Sequence, residues 1–189
     1  MLMLLPHCNM TCDYCVIEDD FQIFPYERAE SLMHQLKIEG YTNLILGGGE
    51  PTIWPGDVFQ LAKTAKKIGF FVQIGTNGIK LPEKFAENEN IDRWILPLDS
   101  IREPVHNSLR HYRDSHFSTM IQNIEKLRLE NQAIYLSTVV TKENILHLTE
   151  MAEYLCDYNS QMGNLKSWNL YRLLPMGRGP QIHYDRLKV

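Results

Sequence analysis

The first thing missing is an excess of basic residues: 19 Lys and Arg stand against 23 Asp and Glu, a formal charge of −4. A polyanion partner would draw on a positive surface, so nucleic acid is not the expected partner. Aromatic residues make up only 10% of the chain, and Trp54, Trp94 and Trp168 lie far apart. No stacking platform for bases is visible. Long apolar runs are absent too, where a membrane span would need about 20 residues. The opening MLMLLP stops at Pro6 and lacks the charged flank and longer apolar stretch of a signal peptide. The expectation is a cytoplasmic protein without a membrane anchor. With 44% apolar and 22% charged residues, the chain is neither disordered, collagenous nor coiled-coil in composition. There is no linker, low-complexity run or sign of a second domain within its 189 residues.

Cysteine is scarce and unevenly placed. Cys8, Cys12 and Cys15 crowd together, while Cys156 stands alone far down the chain. A disulfide framework spreads its cysteines more evenly, so the crowding reads as a metal site open to a further partner. Cys156 lies beside Leu155 and Ala152 and is expected to be buried as a small hydrophobe. His34, His111, His116, His147 and His183 show no metal-ligand spacing and are expected to be solvated or structurally satisfied.

Six apolar runs of strand length occupy 1–5, 43–46, 70–75, 92–98, 134–140 and 168–174. Their β-branched and aromatic content, with little polar alternation, suits parallel strands covered on both faces. Helical periodicity falls between them, over 26–39, 57–68, 115–130 and 144–158, with a weaker stretch at 80–90. Pro25 and Gly40 punctuate the first of these helices, and Gly69 ends the second. Repeated βα units joined by crossovers imply a parallel α/β sheet. A complete eight-unit barrel needs about 250 residues. The expected fold is therefore a partial (β/α)6 TIM barrel over 1–179, with 180–189 as a tail of low apolar content.

In CNMTCDYC the three cysteines directly follow the first strand, at the carboxyl end of the sheet where α/β barrels gather their active sites. Three thiolates on one short loop can hold three irons of a cubane 4Fe–4S cluster, leaving the fourth to a small molecule. Zinc held by the same thiolates with His7 or a remote histidine is the alternative. Strand two then runs into GGGEP, a turn whose glycines let a ligand approach the backbone.

With aromatic Tyr14 ahead of Cys15, the Cx3CxΦC loop resembles the signature of the radical S-adenosylmethionine superfamily. Gly48, Gly49 and Glu50 resemble that family's GGE motif, which implies a site for the amino group of the S-adenosylmethionine methionine. A carboxylate and exposed carbonyls suit an ammonium. The later strand ends extend the resemblance to about residue 179. Thr76 and Asn77 in GTNG would face the same rim. Asp99 and Ser100 in PLDS resemble the family's polar pair near the ribose and carboxylate, although Pro97 stands where serine is frequent. HNSLR resembles a His-x-x-x-Arg feature and implies Arg110 as carboxylate clamp, with Arg113 as the fallback. Ser137 takes the place of a common asparagine. NLYRLLPMGRG resembles members that act on peptides or build complex cofactors, and implies backbone near Leu174 beside the adenine.

The resemblance implies one 4Fe–4S cluster and S-adenosylmethionine as cofactors. It also implies an electron donor such as a flavodoxin or ferredoxin, and a small-molecule or peptide substrate. The reaction would be reductive cleavage of S-adenosylmethionine to a 5′-deoxyadenosyl radical that abstracts hydrogen, with a slight lean to peptides or cofactor precursors. A second reading is a cluster-bearing core or subunit that is inactive without a partner or extension. A third is a zinc-binding structural module.

Overall fold

Each apolar run needs cover on both faces, and a parallel sheet wrapped in helices provides it. The structure is a computed structural model describing residues 1–82 and 89–189. Its main sheet has six strands: β1 (Leu2–Met3), β3 (Asn43–Gly47), β4 (Phe71–Gly75), β5 (Arg93–Pro97), β7 (Ile134–Val140) and β8 (Leu165–Arg172). All neighbours pair in parallel, and the spatial order follows the chain order. That is the partial barrel expected. Two further short strands, β2 (Thr11–Cys12) and β6 (Arg110–His111), pair antiparallel above the rim.

The helices are α1 (Tyr26–Ile38), α2 (Val58–Ile68), α3 (Glu103–Leu109), α4 (His116–Leu129), α5 (Leu148–Met162) and α6 (Pro180–Leu187). Helix α2 illustrates how local sequence sets an element. Asp57 accepts from the Phe59 and Gln60 amides at 3.0 and 3.2 Å, satisfying donors that an uncapped first turn would leave open. Gly69 ends the helix in the left-handed conformation. Between the caps Val58, Leu61, Ala62 and Ala65 face the sheet and are buried. They join Leu46, Val72, Ile74, Trp94 and Leu96 in one core. Truncating Leu61 to alanine at such a site costs about 2–5 kcal/mol.

Several expectations shift. The helix expected over 144–158 begins only at Leu148, because Asn144 does not enter it. Its buried side chain instead accepts from the Thr141 amide at 2.8 Å and donates to the Asp99 and Val139 carbonyls at 3.0 and 2.9 Å. Cys156 is exposed rather than buried. On α5 the core side carries Met151 and Leu155, and the next residue turns about 100° away. The strand expected over 168–174 is Leu165–Arg172. Residues 180–187, which show no strong periodicity, form α6, whose Leu187 is fully buried with Tyr14, Leu109 and Leu173. The short helix expected within 80–90 falls largely on 83–88, outside the described residues. Among the described residues, no helix is long and apolar enough to cross a membrane.

Candidate active site

The site is built where the first two strands end. Leu4 donates to the Gly47 carbonyl at 2.9 Å, and the pairing continues beyond the strands: Gly49 donates to Leu5 and Glu50 to His7, at 2.7 and 2.9 Å. A Cβ on Gly49 would sit 2.0 Å from the His7 carbonyl oxygen, so only glycine lets the turn lie against the start of the cysteine loop. The close approach brings CNMTCDYC and the glycine turn to one cavity of about 410 Å³.

Cys8, Cys12 and Cys15 all line this cavity, and all are free thiols. Asn77 Nδ2 donates to Cys8 Sγ at 3.4 Å, and Arg110 Nη1 to Cys12 Sγ at 3.6 Å. Burial pushes the Cys12 thiol up to about 12 despite the opposing charge of Arg110. Burial also raises Cys8, against a bond from the Met10 backbone and that from Asn77. As thiols these groups are costly to ionise where they stand. A bound metal reverses that, since a coordinating thiol is deprotonated outright. Three soft sulfur donors on one loop, two of them receiving N–H bonds, form a donor set suited to an iron–sulfur cluster.

Glu50 is fully buried behind the glycine turn. Its Oε1 accepts from the Thr52 amide at 3.0 Å and from the Thr52 and Thr76 hydroxyls at 2.7 Å. Its Oε2 accepts from the Asn77 amide at 2.7 Å. The carboxylate thus ties the end of β3 to the end of β4. Asn77 then reaches forward, donating to Asn9 Oδ1 at 2.7 Å as well as to Cys8.

Asp99, at the end of β5, is the second fully buried carboxylate. Tyr14 donates its hydroxyl and Arg110 its Nε, the latter at 2.6 Å, to the same oxygen. The other oxygen accepts from the Val139 amide at 3.1 Å. Burial alone would raise the Asp99 carboxyl, but the charge of Arg110 and the bond from Tyr14 hold it below the usual carboxylate range. The ion pair also keeps the buried Arg110 charged. β6 carries Arg110 and pairs with β2, so Cys12 lies opposite Arg110 in the ladder.

The structure gathers Tyr14, Gly48, Gly49, Thr76, Asn77, Arg110 and Ser137 on the cavity wall with the cysteines. Glu50 and Asp99 stand behind that wall as supports. Ser100 is buried, and its Oγ accepts from the Arg102 amide at 3.0 Å ahead of α3. Leu174 lies outside the cavity and is exposed. Arg113 is exposed, with its guanidinium over the Tyr112 ring, so of the two arginines only Arg110 reaches the cavity.

Sequence reasoning missed the histidine pair that links these supports. His106 and His116 are fully buried, with His106 Nε2 2.7 Å from His116 Nδ1. The Asp99 amide donates to His106 Nδ1 at 3.2 Å, so His106 carries its proton on Nε2 and gives it to His116. His116 then donates from Nε2 to the Asn77 carbonyl at 2.8 Å. Burial drives both rings toward the neutral form, to about 3 for His106 and about 4 for His116. The His-x-x-x-Arg spacing marked the first of the pair. Its partner His116, expected only to be solvated or structurally satisfied, is the latter.

A family model described as the Radical SAM superfamily matches residues 2–155. The AdoMet-dependent heme synthase of Methanosarcina barkeri is 25% identical over 181 residues, which is 92% of this chain and 50% of that protein. An S-adenosylmethionine-dependent nucleotide dehydratase of Lacinutrix mariniflava is 24% identical, covering 96% of this chain and 40% of its own length. The chain therefore spans half or less of these curated relatives. Among solved structures, Streptococcus suis SuiB bound to S-adenosylmethionine superposes with a TM-score of 0.76 at 17% identity, over 91% of this chain and 40% of SuiB. SuiB has also been solved bound to the precursor peptide SuiA.

Proposed function

The chain belongs to the Radical SAM superfamily, and on that premise we propose that it is the radical-generating core of an enzyme that uses a 4Fe–4S cluster and S-adenosylmethionine. The observation that carries this reading is the meeting of three free thiols, the glycine turn and Arg110 on the wall of one cavity. When bound, the cluster and S-adenosylmethionine together supply a 5′-deoxyadenosyl radical for hydrogen abstraction from a substrate.

The chain's own residues hold and orient. Cys8, Cys12 and Cys15 ligate iron. Gly48 and Gly49 offer unobstructed backbone to the ammonium, with the negative charge of Glu50 behind them. Arg110 spends Nε on Asp99 and a bond from Nη1 on Cys12, and its other N–H groups are left for a carboxylate. Thr76, Asn77, Ser137 and Tyr14 form the rim for the nucleoside, while Asp99 and Ser100 set its shape from behind. Leu174 contributes only through backbone near the adenine. Met3, Met10, Val16 and Ile17 supply apolar wall that excludes water from a reactive intermediate. No side chain is needed as a general base.

The core occupies 1–179 and works in the cytoplasm with a flavodoxin- or ferredoxin-type electron donor. A peptide or cofactor precursor is the favoured substrate class, on the strength of the NLYRLLPMGRG stretch and of relatives that include a heme synthase and a peptide-bound structure. The short coverage of those relatives favours one second reading, in which turnover needs a partner or further chain.

Anaerobic reconstitution tests the proposal. The protein should take up about one cubane and show a 4Fe–4S spectrum. It should also release 5′-deoxyadenosine from S-adenosylmethionine with dithionite, and Cys12→Ala should abolish that release. A colourless protein with tightly bound zinc would overturn the reading in favour of a structural zinc module. Cluster binding without release, restored by adding a partner, would select the second reading.

A further inference from the structure

The GRG stretch at 177–179 lies against the cysteine loop and brings one more side chain to the cavity wall. Gly179 donates to the Cys15 carbonyl at 3.0 Å and Arg178 to that of Ile17 at 3.1 Å. Gly177 donates to Glu18 Oε1 at 2.8 Å. A Cβ on Gly179 would sit 2.4 Å from the Cys15 nitrogen, so this contact is open only to glycine. The pairing fixes the side chain between the two glycines. Arg178 lines the cavity with Cys15, donates from Nη1 to the Pro6 carbonyl at 2.9 Å and pairs with Asp19 at 2.7 Å. The Cys15 side chain is among the groups whose interaction favours the charged guanidinium. The Asp19 carboxylate is 68% exposed, so water screens it, whereas Arg178 is only 25% exposed.

We propose that Arg178 is a positioning residue that holds a permanent positive charge against the Cys15 corner of the cluster and so favours the cluster's reduced state. The inference rests on the cluster reading above. Reduction adds one electron to the iron–sulfur unit and neither forms nor breaks a bond. A fixed cation in a partly desolvated wall stabilises the extra negative charge more than it would in water. Charge and hydrogen bonds around the sulfurs are among the main levers on cluster potential. Arginine suits the post because it cannot lose its proton and because its bond to the Pro6 carbonyl fixes the guanidinium at the cavity wall that Cys15 shares.

The test is an anaerobic redox titration of the reconstituted chain, followed by electron paramagnetic resonance, with iron content measured beside it. At the wild-type midpoint, Arg178→Gln should lower the ratio of reduced to oxidised cluster about tenfold, which is about 59 mV for a one-electron couple. Arg178→Lys keeps the charge and should stay within about threefold of wild type. Loss of cluster in Arg178→Gln with retention in Arg178→Lys also supports the role. An unmoved midpoint in Arg178→Gln at full iron content overturns it. Loss of cluster or of fold in both variants overturns it as well, since a structural brace would then explain the contacts. A wild-type protein with no 4Fe–4S signal would instead overturn the function proposed above.

Discussion

Glu50 and Asp99 are both fully buried at the carboxyl rim of one sheet, yet their partners differ in kind. Glu50 takes its hydrogen bonds from neutral donors, the Thr52 and Asn77 amides and the Thr52 and Thr76 hydroxyls. Asp99 faces a cation, with Arg110 Nε at 2.6 Å, and adds Tyr14 and the Val139 amide. Around Asp99 the charges of the chain offset one another. Around Glu50 none of these partners carries a positive charge. The difference gives the rim a direction: the Glu50 side suits an incoming cationic group, and the free edge of Arg110 suits an anionic one. An amino acid carries both groups a few ångströms apart, which is the pattern S-adenosylmethionine would present to this wall.

The comparison is broken most directly by removing the charge of Asp99. Asp99→Asn keeps the shape but leaves Arg110, 10% exposed, without its counter-charge. Breaking one half of a buried ion pair costs about 3–5 kcal/mol. Urea unfolding should therefore show a large drop in midpoint, and a change under about 1 kcal/mol would mean that the pair does not support the folded rim. Glu50→Gln should cost less, about 1–3 kcal/mol, because its partners are neutral and one amide faces a donor instead of an acceptor. Its clearer signature is in binding. With the cluster still loaded, S-adenosylmethionine affinity measured by calorimetry should fall at least about tenfold, or about 1.4 kcal/mol. Equal affinities would show that the charge behind the glycine turn does not act on the ligand.

How far the sequence discloses these features depends on how local they are. The cysteine loop and GGGEP are legible because their chemistry lies within a few consecutive residues and their glycines answer to a nearby backbone. The six strands are legible because two-sided burial demands continuous apolar runs, and Ile134–Val140 matches the expected range to the residue. Features joining distant segments are not. Arg178 meets Pro6 across 172 positions, and no spacing rule spans that distance. Asn144 reads as the first residue of a helix until its side chain is seen holding the Asp99 and Val139 carbonyls. Helix α6 reads as a weak tail because few of its residues are apolar. It is held instead by buried Leu187 and by Arg186, which bonds to Asp13 in the cysteine loop.

The two carboxylates are not independent, because the His106–His116 pair runs from the Asp99 amide to the Asn77 carbonyl, and the Asn77 amide holds Glu50. That bridge can be tested through pH. Both folded-state values, about 3 and about 4, lie below the unfolded value near 6.5. Below pH 6.5 the unfolded chain therefore binds protons that the folded chain refuses. The stability from the neutral rings is fully present above that pH and is lost as the pH falls toward 4 and then 3. Each ring should remove roughly 1–2 kcal/mol between pH 6.5 and 5. In His116→Gln one of those titrations is gone. The variant should be less stable than wild type at pH 7.5, because the Asn77 carbonyl and His106 lose their partner. The gap should then close by roughly 1–2 kcal/mol at pH 5. Paired urea titrations at the two pH values measure this directly. A gap independent of pH would mean that His116 takes up its proton as readily in the folded chain as in the unfolded one, so that below pH 6.5 Asp99 and Glu50 are joined by a charged link instead of a neutral one.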